Sequence, residues 1–321
     1  MSDGDEFALI AKHFAPLARE PAARGLLDDV AFVERHGPFI VSTDTIVEGV
    51  HFLPNDPIDT IAQKALRVNV SDVVAKGCAP SHYLLSLQWP NHRPASEIEQ
   101  FAAGLARDQA TFGCTVIGGD TTSTPGPLAV NVTMFGRPLS ATPPQRSGAH
   151  IGDDVWVTGF IGDGVLGLRA LTDGLALDAA HIVYLTGCYR TPSPRIVMAA
   201  TVAAFASASM DVSDGLLGDA AKIALASGVH LVVDPDSVPV SAAGGAWLAA
   251  QPDRNCARAA LFNGGDDYEI LFTAPSSRQA RLIEAADDAG VALTRIGAVV
   301  AGQGVEAGGL PIGGHVHRFG T

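Results

Sequence analysis

Few of the side chains that announce familiar chemistries are present. Only four of the 321 residues are cysteine, Cys78, Cys114, Cys188 and Cys256, and none forms a CxxC pair or a metal-like spacing. That excludes a cysteine-bound zinc or a dithiol redox motif and fits scattered thiols in a reducing cytoplasm. Lys and Arg number 21 against 34 Asp and Glu, for a formal charge of -13. The chain therefore lacks the basic footprint that a nucleic-acid backbone needs as a partner. An anionic small substrate stays open, because a bound divalent cation reverses the local field. No charged segment followed by an apolar one opens the chain, and the longest low-polarity stretch, 197–210, is too short and too rich in Ala and Ser to span a bilayer. A cytoplasmic location with no membrane partner is expected. Neither a Walker A sequence nor a protein-kinase glycine loop appears, and no Ser-His-Asp or Cys-His arrangement is indicated.

What is present is apolar bulk and unusually placed aspartate. Hydrophobic residues make up 47% of the chain, enough for a sizeable core, and the length favours two domains. The aspartates recur in apolar or glycine-rich surroundings: Asp28-Asp29, Ser42-Thr43-Asp44, Asn69-Val70-Ser71-Asp72, Gly118-Gly119-Asp120-Thr121 and Asp211-Val212-Ser213-Asp214-Gly215. Carboxylates in such places are costly unless paired or bound to a cation. Most have no Lys or Arg nearby in sequence. Mg2+ takes oxygen ligands from a few carboxylates and from substrate phosphates, so the pattern points to a multi-metal enzyme that handles phosphate.

Hydrophobic periodicity predicts helices over 7–18, 59–76, 215–227 and 278–289. It predicts strands over 39–44, 128–136, 154–158, 269–273 and 296–300. The class is α/β or α+β. The Pro/Ser/Gly-rich segment 139–148 reads as a linker between an N-terminal domain, 1–138, and a C-terminal domain, 149–321. In the helix over 59–76, Ile61, Ala65, Val68 and Asp72 share one stripe at about 100° per residue. Asp72 is then either a hydrogen-bonded core aspartate or a carboxylate aimed at cations. Ser213 and Asp214 could cap the helix that follows them, but with Asp211 and Asp219 the acid exceeds what capping needs, and metal ligation explains the surplus better. Gly118-Gly119-Asp120 and Gly264-Gly265-Asp266-Asp267 read as glycine turns, either ordinary or shaped for close approach to phosphate.

Taken in order along nearly the whole chain, these segments resemble the thiamine-monophosphate kinase family. That family shares a superfamily with aminoimidazole ribonucleotide synthetase, selenophosphate synthetase and a hydrogenase-maturation dehydratase. The resemblance runs through Ser42-Thr-Asp-Thr-Ile-Val-Glu-Gly-Val-His-Phe52, Val68-Asn-Val-Ser-Asp72, Ile117-Gly-Gly-Asp-Thr-Thr122, Arg146-Ser-Gly148, Met210-Asp-Val-Ser-Asp-Gly-Leu216 and Gly264-Gly-Asp-Asp-Tyr-Glu-Ile-Leu-Phe272. It implies direct in-line transfer from ATP to thiamine monophosphate, with several Mg2+ ions, K+ as a monovalent candidate, and a homodimer whose N-terminal strands join in a barrel. By similarity, Asp29, Ser42, Thr43, Asp44, Asp72, Asp120, Asp211 and Asp214 form the metal set, with Asp44, Asp120, Asp211 and Asp214 at the chemistry. Gly119, Asp120, Arg146, Ser213 and Phe112 fall to ATP, and His51, Asp266 and Phe319 to thiamine monophosphate.

The sequence departs from the family pattern at Leu27, where a glycine is usual, at Asp266, where glutamate is common, and at Phe112, often tyrosine. The tail carries no cysteine and the first cysteine is Cys78, which separates the chain from the dehydratase and from selenophosphate synthetase. Aminoimidazole ribonucleotide synthetase remains the enzyme alternative, and a non-catalytic nucleotide- and metal-binding protein the alternative from another class.

Overall fold

The computed structural model of the chain describes residues 6–27, 30–34 and 37–315. They form two compact units, one of residues 1–73 and 79–138, the other of residues 74–78 and 139–321. The mixed α/β class expected from the sequence is what forms.

The first unit begins with α1 (Glu6–Leu9), which loosens into a π-type turn over Ile10–Phe14 and tightens into a 3-10 turn over Ala15–Leu17. The single helix predicted over 7–18 does not form. Pro16 offers no N–H and its ring crowds the carbonyl four residues back, so an α ladder cannot pass through it. β1 (Ile40–Val47), α2 (Ile58–Ala75), β2 (Cys78–Pro90), α3 (Ser96–Phe112), β3 (Thr115–Thr124) and β4 (Ala129–Pro138) follow. The strands lie in the order β1-β4-β2-β3, with β1 and β4 antiparallel and β2 and β3 parallel. On β4 the predicted alternation holds: Val130, Val132 and Met134 are fully buried. Ile61, Ala65, Leu66 and Val70 are buried on opposite sides of α2, which is covered nearly all round, each large aliphatic contributing roughly 1.5–3 kcal/mol. Gly77, at φ 62°, follows that helix in the left-handed conformation that ends helices.

The second unit is built on a six-stranded sheet in the order β10-β7-β9-β5-β8-β6. Its elements are β5 (Asp153–Thr158), α4 (Asp163–Thr172), α5 (Ala179–Arg190), α6 (Ala199–Phe205), β6 (Ala208–Asp211), α7 (Leu216–Ser227), β7 (His230–Val233), α8 (Ala242–Ala249), α9 (Arg254–Phe262), β8 (Ile270–Pro275), α10 (Gln279–Asp288), β9 (Leu293–Val300) and β10 (Gly304–Glu306). Only β10 and β7 pair in parallel. Every residue of β5 is buried, as befits an inner strand covered on both faces. Val155, Val157, Leu216, Leu217 and Ile223 sit in the core. The predicted helices over 215–227 and 278–289 appear as α7 and α10. Gly228, at φ 66°, closes α7.

Candidate functional site

In the first unit β1 does not give way to a loop at Asp44, as the pattern predicted. It continues to Val47, because β4 pairs with it along its whole length, Ser42 opposite Met134 and Asp44 opposite Val132. The period of two puts Ser42, Asp44 and buried Ile46 on one face. There Ser42 Oγ donates to Asp72 Oδ2 at 2.5 Å. Asp72 closes the buried stripe of Ile61, Ala65 and Val68 on α2. One turn earlier, Asn69 Oδ1 accepts the Asp44 backbone N–H at 3.0 Å, and its Nδ2 donates to the Ala65 carbonyl. Ser42, Asp44 and Asp72 are thus brought together. Thr43 turns to the opposite face, where its hydroxyl meets Thr133 and Asn131, each at 3.1 Å.

Gly118-Gly119-Asp120 is not a turn. β3 runs straight through it, with Gly119 opposite Leu85 and Asp120 opposite Ser86 on β2. A Cβ at Gly119 would lie 1.8 Å from the Leu85 carbonyl oxygen, so the glycine serves close strand approach. Asp120 is exposed. Beside it a cleft of about 150 Å³ is walled by Ile10, Phe14, Leu85 and Val116, with Gly119 and Asp120 also lining it. Phe112, at the end of α3, is buried, and the Arg67 guanidinium stands 5.6 Å from its ring centroid. Arg67 also forks onto Asp108 at 2.6 and 2.9 Å. His51 Nδ1 accepts the Val47 N–H at 3.1 Å, which places the proton of the neutral ring on Nε2. Buried Lys64 donates to the His51 carbonyl at 2.8 Å.

In the second unit Asp211 is buried at the end of β6, and Ser213 and Asp214 are half-buried in the turn before α7. Neither caps that helix: its N-cap residue is Gly215, and no side chain bonds there. The capping alternative is thereby removed. Asp214 bonds instead to Lys222 Nζ at 2.5 Å. Backbone bonds lace this turn to the Gly-Gly-Asp-Asp-Tyr-Glu segment. The Asp266 N–H donates to Ser213 O, the Tyr268 N–H to Val212 O and the Val212 N–H to Glu269 O, at 2.8–3.0 Å. Asp214, Ser213 and Asp266 are therefore neighbours.

Asp266 and Tyr268 have φ of 70° and 52°, a left-handed backbone that costs about 1–3 kcal/mol per residue outside glycine. Asp267 between them holds the turn: its carboxylate accepts the N–H groups of Gly162 and Gly164 at 2.9–3.0 Å. Burial pushes that carboxyl well above the usual range. Glu269 accepts from Thr158 Oγ1 at 2.7 Å and from the fork of Arg195. Asp163, Tyr184, Arg195, Asp266, Asp267 and Glu269 line a cavity of about 260 Å³ that is rich in acid. Cys188 also borders it, and burial pushes its thiol up to about 12. Cys78 and Cys114 are pushed up to about 11 and about 12 for the same reason, so none of the three is an activated nucleophile. Arg146 is exposed in a 3-10 turn, its carbonyl accepting from Ser227 Oγ at 2.8 Å. Asp29 and Phe319 lie outside the described residues.

Sequence reasoning passed over Asn69, Arg195 and Lys222. The available signal for Asn69 was a polar residue three before Asp72 in an apolar helix. Arg195 gave none beyond its charge, whereas Lys222, three after Asp219 in the predicted helix, offered an i,i+3 pair.

Among the described residues no three His, Cys, Asp or Glu side chains stand as a ready-made cage for a metal, and no helix is long and apolar enough to cross a membrane. The donors at these two acidic sites are hard oxygens, the type Mg2+ takes, and Mg2+ prefers one or two carboxylates plus substrate phosphates to an all-protein cage.

The chain matches the family models for AIR synthase related protein, the N-terminal domain over residues 27–137 and the C-terminal domain over 150–309. It is 41% identical over 305 residues to the thiamine-monophosphate kinase of Caulobacter vibrioides, covering 94% of this chain and 86% of the relative. The crystal structure of the thiamine-monophosphate kinase from Stenotrophomonas maltophilia superposes with a TM-score of 0.82 at 35% identity, covering 93% and 97% of the two chains. The structure of AaThiL complexed with AMPPCP and TMP does so with a TM-score of 0.78 at 31% identity, covering 86% of each. With both AIR-synthase-related domains present and this likeness extending over nearly its whole length, the chain belongs to the thiamine-monophosphate kinase family.

Proposed function

We propose that the chain transfers the γ-phosphoryl group of ATP to thiamine monophosphate, giving thiamine diphosphate and ADP. The observation that carries this reading is the end-to-end likeness to thiamine-monophosphate kinases. An oxygen of the monophosphate attacks the γ-phosphorus in line, the bond from that phosphorus to the β–γ bridging oxygen breaks, and ADP leaves. No phosphoenzyme is needed in such a direct transfer. Such catalysis is positioning and charge neutralisation.

Ser42, Asp44, Asp72 and Asp120 in the first unit and Asp211 and Asp214 in the second would hold Mg2+, with Asp29 and, through its backbone rather than its opposite-facing hydroxyl, Thr43 completing the set. Bound there, Mg2+ would neutralise the polyphosphate and steady the attacking and leaving oxygens. Gly119, Phe112, Arg146 and Ser213 serve ATP, the Arg146 fork suiting phosphate oxygens. His51, Asp266 and Phe319 serve thiamine monophosphate. Asp266 borders the cavity of about 260 Å³, and its carboxylate suits the fixed positive charge of a thiazolium ring. Residues 1–138 and 149–321 form the two working domains, joined by 139–148. A second copy of the chain is proposed to cover the sheet edge at β1, where Phe39 and Val41 are each 51% exposed.

The test is ADP release from ATP with Mg2+, with and without K+, offering thiamine monophosphate or formylglycinamidine ribonucleotide. Release with the first and formation of thiamine diphosphate are expected. Release with the second alone would move the chain to the aminoimidazole ribonucleotide synthetase reading.

A further inference from the structure

The Asp211–Asp214 turn is held by two residues of α7. Asp219 has no exposed surface. Its Oδ2 accepts the backbone N–H groups of Ser213 and Asp214, each at 3.1 Å. Its Oδ1 accepts Lys222 Nζ at 2.7 Å, and the same ammonium reaches Asp214 Oδ2 at 2.5 Å. Asp219 and Lys222, three apart on one helix face, thus suspend one positive charge between two carboxylates. Asp219 fixes the backbone of the turn; Lys222 fixes the direction of the Asp214 carboxylate by taking one of its oxygens.

An ammonium in that position has two opposed effects on a divalent cation at Asp214. Its charge repels the cation and lowers affinity. Its hydrogen bond confines the carboxylate to one pose, which favours a reaction that depends on orientation. We propose that Lys222 is a positioning residue for phosphoryl transfer: it gives up metal affinity at Asp214 in return for a fixed carboxylate, with Asp219 anchoring both Lys222 and the turn. This rests on the reading of Asp214 as a metal ligand. A prop that merely kept the turn folded would help metal binding and turnover alike, whereas a positioning ammonium moves them in opposite directions.

The test uses the full chain as wild type, K222M, K222Q and D214N. Mn2+ binding is read from the electron paramagnetic resonance of the free ion. Steady-state kcat and KM for thiamine monophosphate are measured with Mg2+ and ATP. K222M is expected to bind Mn2+ about three- to tenfold more tightly, while kcat falls by about tenfold or more and KM moves by less than about twofold. K222Q keeps a donor without the charge; it should tighten Mn2+ similarly with a smaller loss of kcat, and it carries the test if K222M does not fold. Affinity and kcat falling together in the folded variant would overturn the proposal, as would no change in either. D214N separates the two readings. If D214N binds Mn2+ as the wild type does, the assignment of Asp214 to metal fails. If D214N weakens Mn2+ but the Lys222 variants do not tighten it, the failure is of Lys222 alone.

Discussion

The hydroxyl of Ser42 on β1 donates to Asp72 Oδ2 on α2 at 2.5 Å. With the Asp44 N–H donating to Asn69 Oδ1, this bond ties β1 to α2, and it brings Asp72 to the strand face that carries Ser42 and Asp44. The carboxylates there are exposed or half-buried, so the fold does not depend on their charge.

Replacing Asp44, Asp72 or Asp120 singly by Asn should therefore lower kcat by at least about a hundredfold, the scale for loss of one preorganised electrostatic group. The melting temperature in metal-free buffer should hold or rise, because each change relieves repulsion among acids. A large fall in metal-free melting temperature would count against the metal-site reading.

Two adjacent glycines should respond differently. A methyl at Gly119 meets the Leu85 carbonyl oxygen at 1.8 Å, backbone that cannot swing aside. At Gly118 it meets only Leu84 Cδ2, at 3.2 Å, the end of a flexible side chain. Gly119→Ala should cost about 1–3 kcal/mol in denaturant unfolding, as overpacking does, and Gly118→Ala much less. Equal costs would contradict the close strand approach.

Asp163 carries a pH signature. Its carboxylate accepts from Ser241 Oγ at 2.6 Å and from the Tyr184 hydroxyl at 2.7 Å, and burial raises its pKa above the ordinary 3.8. Between that value and the raised one, the folded chain holds a proton that the unfolded chain has lost, so stability from this group falls as pH rises. The wild type should lose stability relative to Asp163→Asn over the range above the ordinary 3.8, as pH rises toward the raised value. Paired melting curves across that range check it, and a gap moving the other way would reverse the sign.

Arg146 is exposed on its turn, free of structural duty except through its carbonyl bond to Ser227. Arg146→Ala should raise the KM for ATP roughly tenfold, the worth of one charge-assisted hydrogen bond, and leave that for thiamine monophosphate nearly unchanged. Equal effects on both would take Arg146 out of the ATP site.

Much of this was legible in the sequence, and the misses have physical causes. The β4 alternation, the α2 stripe ending in Asp72 and the helix over 215–227 are local patterns, and they formed as read. The strand through Asp44 and the strand through Gly118-Gly119-Asp120 are set by partners distant in sequence, β4 and β2, whose register no local pattern contains. Pro16 was visible and still outweighed by the apolar periodicity around it. Arg195 matters through an acid 74 residues away, which an isolated basic residue does not declare; the Asp219–Lys222 spacing was visible in the predicted helix, but the bond of Lys222 to Asp214 was not.

The most direct test of the central claim follows the label from γ-32P ATP, incubated with the full chain, Mg2+, K+ and thiamine monophosphate. The account predicts label in thiamine diphosphate, one for each ADP formed, and none held on the protein. Label appearing only as inorganic phosphate, or retained on the protein as a phosphoenzyme, would contradict it.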